Sequence, residues 1–224
     1  MAGTLRALLT EFVGTFLWVS LGAGAVCADA MSGGRLGPVG VALAQGAAAA
    51  AAFAAFGRGS AGLLNPACTV ALALTKSLPP TRALLCLVSQ LLAAALAGTF
   101  LAAVVGRAAP DLLSTAPFLG AGAPALGYRA ATLVEAVLAF FLAVLSRRAA
   151  EEGGAGAALA VGAFCASAAL MAGGWTGALM NPARAFGPAT ATGYWTLHYV
   201  YWAGPLAGAF VGIAFSQWVL RRKT

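Results

Sequence analysis

The chain has 224 residues, of which 61% are hydrophobic and only 8% are charged, and its mean hydropathy is +0.89. A soluble domain could not bury so large an apolar fraction and would need more charge on its surface, so that class is excluded. The net charge of +7 is scattered over loops and chain ends, which argues against a nucleic-acid partner and leaves a polytopic membrane protein.

Six apolar segments follow one another along the chain, and a membrane-spanning helix needs about 20 residues. Their leucine, alanine and glycine content favours helices over the alternating strands of an outer-membrane barrel. Arg6 and the apolar run that follows it to Val26 also have features of a signal peptide, but Glu11 within the run favours a spanning helix. We expect the longest loop at 107–129 and a charged loop at 147–154. The predicted spans are residues 5–27, 36–56, 81–105, 130–146, 157–172 and 197–220.

Two copies of Asn-Pro-Ala interrupt this series of spans, Asn65-Pro66-Ala67 and Asn181-Pro182-Ala183, and Arg184 directly follows the second. Asn is a good helix N-cap and Pro is best tolerated at the first helical position, so each copy predicts the start of a short helix. Two such half-helices meeting end to end would together span the bilayer. Their positive dipole ends would repel cations at the midplane, while the two asparagines could bind neutral solutes.

The two halves of the chain repeat this pattern. Glu11 lies early in the first half, and Glu135 lies at the matching place in the second. We therefore predict one channel domain, residues 1–224, with repeats at 5–106 and 129–220. An odd number of spans in each repeat inverts the second relative to the first. The two carboxylates are predicted to accept hydrogen bonds from the re-entrant loops, which must satisfy their backbone groups inside the membrane. A proton-relay pair is the alternative.

The segment from Asn181 to Pro188, with Asn65-Pro66-Ala67, resembles the aquaporin (major intrinsic protein) family, and the likeness extends over about residues 10–220. Together with Tyr201-Trp202-Ala-Gly-Pro205, it is most similar to the aquaporin-eight and plant tonoplast intrinsic protein group. The resemblance implies an all-α membrane fold, with six transmembrane helices and two re-entrant half-helices in two inverted repeats. It also implies a homotetramer in a lipid bilayer, without cofactor or enzymatic activity. Water and small neutral solutes such as ammonia or hydrogen peroxide would pass, and protons and ions would not.

The family resemblance also implies a four-residue selectivity constriction, which by spacing falls on Gln45, Ala169, Ala178 and Arg184. Strict water channels resemble one another in having an aromatic residue and a histidine at the first two positions. Gln45 and Ala169 therefore predict a wider, more polar opening. A helix-packing role is the alternative for Gln45.

Near the motifs, four further residues are pore-lining candidates: Leu63, Cys68, Gly177 and Leu179. Family members commonly have His at the position of Leu63 and Val at that of Cys68. The four cysteines of the chain lack metal-ligand spacing, and we expect buried thiols rather than a disulfide framework.

Two other functions share these sequence features. One is a glycerol or urea facilitator of the same fold, although the glycerol branch typically has Asp where this chain has Ala185. The other is an ion-coupled secondary transporter, which also uses inverted repeats and broken helices. Lys and Arg residues concentrate on one side of the predicted spans, which places both termini in the cytoplasm, in a plasma or an intracellular membrane.

Overall fold

A computed structural model describes residues 2–105 and 123–220, and within these ranges the chain is helical and contains no strand. A single 3-10 turn, Gly57–Gly59, follows α2. Most of the predicted 107–129 loop and the basic residues 221–223 lie outside the described residues. The helices are α1 (Ala2–Met31), α2 (Gly37–Phe56), α3 (Pro66–Leu74), α4 (Pro80–Val105), α5 (Ala123–Glu152), α6 (Gly154–Thr176), α7 (Pro182–Thr192) and α8 (Val200–Val219).

Five of the described helices, α1, α2, α4, α5 and α6, are long and apolar enough to cross a membrane. The helix at the sixth predicted span, α8, has 20 residues. The predicted all-helical membrane fold is confirmed, and the two predicted half-helices correspond to the short helices α3 and α7.

The predicted loop at 147–154 is wrong, because α5 continues to Glu152 and only Gly153 separates it from α6. Ion pairs one helical turn apart stabilise this extension: Arg147 Nε lies 2.7 Å from Glu151 Oε1, and Arg148 pairs with Glu152. At its other end α5 starts before the predicted residue 130, with a break at Gly127, where φ is 67°. Charged residues favoured a loop in the sequence, whereas here they form the last turn of a helix.

Small residues form much of the inner face of α4. On α4, Ala93, Ala97 and Gly98 are buried, while Leu92 and Leu96 are exposed. A Cβ added at Gly98 would lie 2.1 Å from the carbonyl oxygen of Gly187 on α7, so only glycine permits this approach. An apolar outer surface around an interior of small and polar residues suits a protein whose solvent is lipid.

Helix contacts in the second half repeat those of the first. α1 packs against α2 and α4, and correspondingly α5 packs against α6 and α8. α3 packs against α8, and α7 packs against α4, so each short helix is inserted beside a long helix of the opposite half. This exchange brings the starts of the two short helices together in the middle of the molecule.

Candidate functional site

The two Asn-Pro-Ala segments adopt the same capping geometry. Asn65 has φ −150° and ψ 116°, and its side chain accepts a hydrogen bond from Ala67 N at 2.9 Å. Asn181 has φ −151° and ψ 114°, and accepts from Ala183 N at 3.0 Å. In both cases a proline occupies the first turn, where its missing N–H costs no hydrogen bond. The sequence thus starts each helix by the same local mechanism.

The two asparagines also connect the two halves of the chain. Asn65 Nδ2 donates to the carbonyl oxygen of Met180 at 3.1 Å, and Asn181 Nδ2 donates to that of Leu64 at 3.0 Å. With a rise of 1.5 Å per residue, α3 and α7 are about 14 Å and about 17 Å long. Their N-termini meet, and together the two helices match the hydrocarbon thickness of about 30 Å.

Glu11 on α1 supports the loop that precedes α3. The carboxylate is completely buried and accepts hydrogen bonds from Gly62 N at 2.6 Å and Leu64 N at 3.1 Å. Ser60 Oγ donates to the same group at 2.5 Å, and Gln90 Nε2 of α4 donates at 2.6 Å. These bonds satisfy backbone amides that neither helix nor water would serve inside a membrane.

Glu135 on α5 does the same for the loop that precedes α7. It is completely buried and accepts from Leu179 N at 3.0 Å and Met180 N at 2.6 Å. Thr176 Oγ1 donates to it at 2.6 Å, and the Thr176 carbonyl oxygen accepts from Tyr201 Oη at 2.8 Å. Each half of the chain therefore holds its re-entrant loop by one buried carboxylate and at least one hydroxyl.

Both loops contain backbone conformations that side chains disfavour. Leu63 and Leu64 have φ of 59° and 53°, and Ala178 and Met180 have φ of 48° and 57°. Left-handed conformations at residues other than glycine cost on the order of 1–2 kcal/mol each. They persist here beside Glu11 and Glu135, whose hydrogen bonds offset that cost.

Arg184 is 5% exposed, and two groups of partners hold its guanidinium. Nη1 donates to the carbonyl oxygens of Ala178 at 3.2 Å and Leu179 at 2.9 Å, both on the loop before α7. Nη2 donates to Gln45 Oε1 on α2. The structure thus brings together three of the four predicted constriction residues, Gln45, Ala178 and Arg184.

The fourth predicted residue, Ala169, lines a cavity of about 260 Å³ together with Gln45 and Gly177. Gly173 and Gly174 also line this cavity and place no side chain in it, while Asp29 contributes a carboxylate. The cavity therefore connects Ala169 to Gln45, the residue that contacts Arg184.

Two other pore candidates, Leu63 and Cys68, do not line this cavity. Leu63 and Cys68 belong to a buried apolar cluster that also contains Ile213 of α8. Leu179 packs with Ala185 and Tyr201. The structure does not bring Leu63 or Cys68 to Arg184, and their role as pore-lining residues stays a prediction. All four cysteines are buried free thiols.

Two residues of the hydrogen-bond network around Glu11 and Glu135 were not predicted from the sequence. Gln90 and Thr176 looked like ordinary polar residues within helices, yet both are buried and bind a loop-supporting carboxylate. Gln90 Nε2 also donates to Thr69 Oγ1 at 2.9 Å. A signal was available, because a polar side chain within an apolar span must find a partner inside the protein.

Comparison with known proteins identifies the family to which the chain belongs. Residues 1–215 match the family described as major intrinsic protein. The chain belongs to the major intrinsic protein family. The family resemblance predicted from the two Asn-Pro-Ala motifs is thereby confirmed.

Relatives within the major intrinsic protein family cover most of the chain. Aquaporin TIP4-4 of Zea mays is 40% identical over 219 residues, which cover 92% of this chain and 83% of the relative. The lens fiber major intrinsic protein of Gallus gallus is 42% identical over 208 residues, or 91% and 77% of the two chains. The X-ray structure of the aquaglyceroporin from Plasmodium falciparum has a TM-score of 0.80 and covers 97% of both chains. At 21% identity, that likeness shows the fold.

Membership in the family gives the class of activity. The protein is an integral membrane channel that passes water and small solutes passively, and it is not an enzyme. This excludes the ion-coupled transporter that the inverted repeats alone had left open.

Proposed function

We propose that the channel selects its solutes at a constriction formed by Gln45, Ala169, Ala178 and Arg184. The observation that carries this proposal is the contact between Gln45 and Arg184 beside the cavity that Ala169 lines. A guanidinium and an amide at one narrow place offer hydrogen-bond donors and an acceptor to a passing solute. The positive charge of the guanidinium opposes cations at the same place.

A second barrier is proposed where α3 and α7 meet. The positive ends of both helix dipoles converge there and raise the energy of any cation, including a proton. Each asparagine amide has two N–H bonds and, within the part of the chain that the structure describes, uses one of them in a hydrogen bond to the opposite loop. The second N–H of Asn65 and of Asn181 is then available to orient a neutral solute.

The size of the side chains sets the proposed solute range. Alanine at 169 and 178 takes little space, and three glycines widen the cavity beside Ala169. We expect water together with ammonia or hydrogen peroxide to pass, while protons and ions are rejected. The narrower water-only channel is the alternative and requires that Ala169 lie away from the solute path.

A graded series at Ala169 tests the constriction. In proteoliposomes, stopped-flow measurements would give the permeabilities to water, ammonia, hydrogen peroxide and urea for the wild type and for Ala169→Ser, Ala169→Val and Ala169→His. We expect the ratio of larger solutes to water to fall with side-chain size, with Ala169→Ser close to the wild type. A ratio that is the same in all four proteins would remove Ala169 from the constriction.

Assembly into a homotetramer is part of the proposal. The groove between α2 and α6 is apolar and small: the exposed Ala47 and Ala163 flank the buried Gly46 and Gly162, between Leu43 and Leu159. Small residues let helices of neighbouring subunits approach closely in a membrane. Native mass measurement in mild detergent tests this, and a fully conducting monomer would contradict it.

We also propose the orientation and the two repeats. Arg58 lies against Gly153, the residue that follows α5. Arg147 and Arg148 lie within the last two turns of α5, so the three cations gather at one end of the molecule. The positive-inside tendency assigns that end, and with it both termini, to the cytoplasm, at a plasma or an intracellular membrane. Repeats at residues 5–106 and 129–220 are supported by the matching helix contacts of the two halves. Cysteine labelling from either side of the membrane tests the orientation.

A further inference from the structure

We infer that Trp18 and Gly22 of α1 set the position of the Arg184 guanidinium and so act as selectivity-determining residues of the channel. Trp18 would hold the face of the guanidinium, and Gly22 would leave the space in which Arg184 meets Gln45. The inference rests on the proposed role of Arg184 in the constriction. Neither α1 residue belongs to a motif that points to transport.

Trp18 lies beside the charge of Arg184. The guanidinium carbon of Arg184 is 5.7 Å from the centroid of the Trp18 ring. This is within the distance of about 6 Å at which an aromatic face attracts a cation, and tryptophan gives the strongest such attraction. Trp18 is 1% exposed, and its ring packs edge-on against Phe53 with centroids 5.8 Å apart. The indole is therefore held in the interior by a packed partner that fixes its orientation.

The hydrogen bonds of Arg184 do not restrain its guanidinium in every direction. The carbonyl oxygens of Ala178 and Leu179 and the amide oxygen of Gln45 all accept from guanidinium N–H groups, which point outward in the plane of the group. In-plane bonds fix its rotation within the plane but resist tipping less well. Among the described residues, no carboxylate lies within ion-pair distance of Arg184. The aromatic face of Trp18 thus restrains the group in the remaining direction and stabilises its charge.

Gly22 lies one helical turn after Trp18 and faces the same site. A Cβ added at Gly22 would lie 3.0 Å from Gln45 Oε1 and 3.7 Å from Arg184 Nη2. The first distance is tighter than ordinary van der Waals contact, so even a methyl group would displace the Gln45 amide. Glycine at position 22 therefore leaves the Gln45 amide free to lie against Arg184 without a shift of a few tenths of an ångström.

The test for Trp18 compares three substitutions in proteoliposomes by the ratio of urea to water permeability. Trp18→Leu removes the aromatic face, and we expect this ratio to rise by about fivefold as the guanidinium loses its fixed position. Trp18→Phe retains a face and should stay within about twofold of the wild type. Phe164→Leu is the matched control, because Phe164 packs against the same apolar cluster but pairs with Phe141 rather than with Trp18, and it should keep the wild-type ratio. An equal rise in Phe164→Leu, or an unchanged ratio in Trp18→Leu, would overturn the inference.

Gly22→Ala keeps the inference testable if Trp18→Leu does not fold. The added methyl group is small, yet it should raise the urea-to-water ratio by displacing Gln45. Gly24→Ala is its control on the same helix, because a Cβ there would lie 3.5 Å from Leu101 Cδ2, an ordinary contact. The ratio should change in Gly22→Ala and not in Gly24→Ala, and the same response in both would contradict the assignment.

Arg184→Val separates this inference from the proposed function. If Arg184 selects solutes, Arg184→Val alone raises the urea-to-water ratio, and adding Trp18→Leu to it causes no further rise. If Arg184→Val leaves the ratio unchanged, the proposed constriction is wrong. If Arg184→Val raises the ratio while Trp18→Leu and Gly22→Ala do not, the constriction stands and the positioning role of α1 fails.

Discussion

Replacing Glu135 by glutamine tests how the re-entrant loop before α7 is held. The substitution preserves the shape of the side chain but exchanges one acceptor oxygen for an NH₂ donor. In the native protein Oε1 accepts from Thr176 and Leu179, and Oε2 accepts from Met180 N. Whichever way the glutamine amide turns, its NH₂ group faces at least one of these donors.

The expected loss in the free energy of unfolding follows from the hydrogen bond that Glu135→Gln removes. A hydrogen bond to a charged group contributes about 1.5–3 kcal/mol, and an unsatisfied buried amide adds a penalty of similar size. Since Thr176 and Leu179 can keep a neutral acceptor, we expect a loss of about 2–4 kcal/mol in the free energy of unfolding. For a chain of this length, each kcal/mol shifts the melting temperature by about 2–4 °C, so a decrease of about 4–16 °C is expected.

The assay is thermal unfolding in mild detergent at a fixed scan rate, since unfolding of such proteins is commonly irreversible. Glu151→Gln is the matched control. It makes the same chemical change on the same helix, where Glu151 forms an exposed pair with Arg147 worth only about 0.3–0.5 kcal/mol. Melting temperatures that fall equally in Glu135→Gln and Glu151→Gln would refute the view that the buried carboxylate holds the loop.

Three further predictions concern other parts of the molecule. Burial lowers the pKa of His198, the only histidine, so the folded state favours the neutral imidazole. The contribution of His198 to the free energy of unfolding should therefore be full above the unfolded-state pKa of about 6.5 and should decrease as the pH falls below that value. His198→Phe should remove this dependence in melting curves between about pH 8 and about pH 5, and an unchanged dependence would assign it to other groups. Gly208→Ala should prevent folding, because the new Cβ would lie 1.9 Å from a backbone oxygen of α5. Gly156→Ala is the control, because a Cβ there meets nothing within 4 Å, and it should be tolerated. Gel filtration measures the amount of folded protein for both variants. If Cys68 lines the pore, mercuric ion should block water flux by reacting with its thiol. Persistence of that block in Cys68→Ser would assign it to another thiol.

The half-helices could be predicted from the sequence because their signals are local. Asparagine and proline at the start of α3 and α7 act on atoms one to three residues away, and the structure places both helices where those residues predict them. The spans were predictable for a similar reason, since apolar length is a property of each segment alone. The charged end of α5 was not predicted, because charged residues also form loops and only their four-residue spacing favours the helix.

Contacts between segments that are distant in the sequence were harder to predict. Gln45 and Arg184 are 139 positions apart, and only the family resemblance suggested that they share a site. Trp18 looked like one more apolar residue of α1, and its contact with Arg184 depends on how α1 and α7 pack. Gln90 binds Glu11 and Tyr201 binds the end of α6 at Thr176, and nothing within the segments of Gln90 and Tyr201 indicates these partners.

The most direct test of the proposed selectivity measures water, ammonia and proton permeability in one preparation of proteoliposomes containing the wild-type channel. If the constriction and the facing helix dipoles act as proposed, water and ammonia permeabilities exceed those of protein-free liposomes while proton permeability does not. Proton permeability that rises together with water permeability would contradict the account, because neither Arg184 nor the paired ends of α3 and α7 would then exclude a cation.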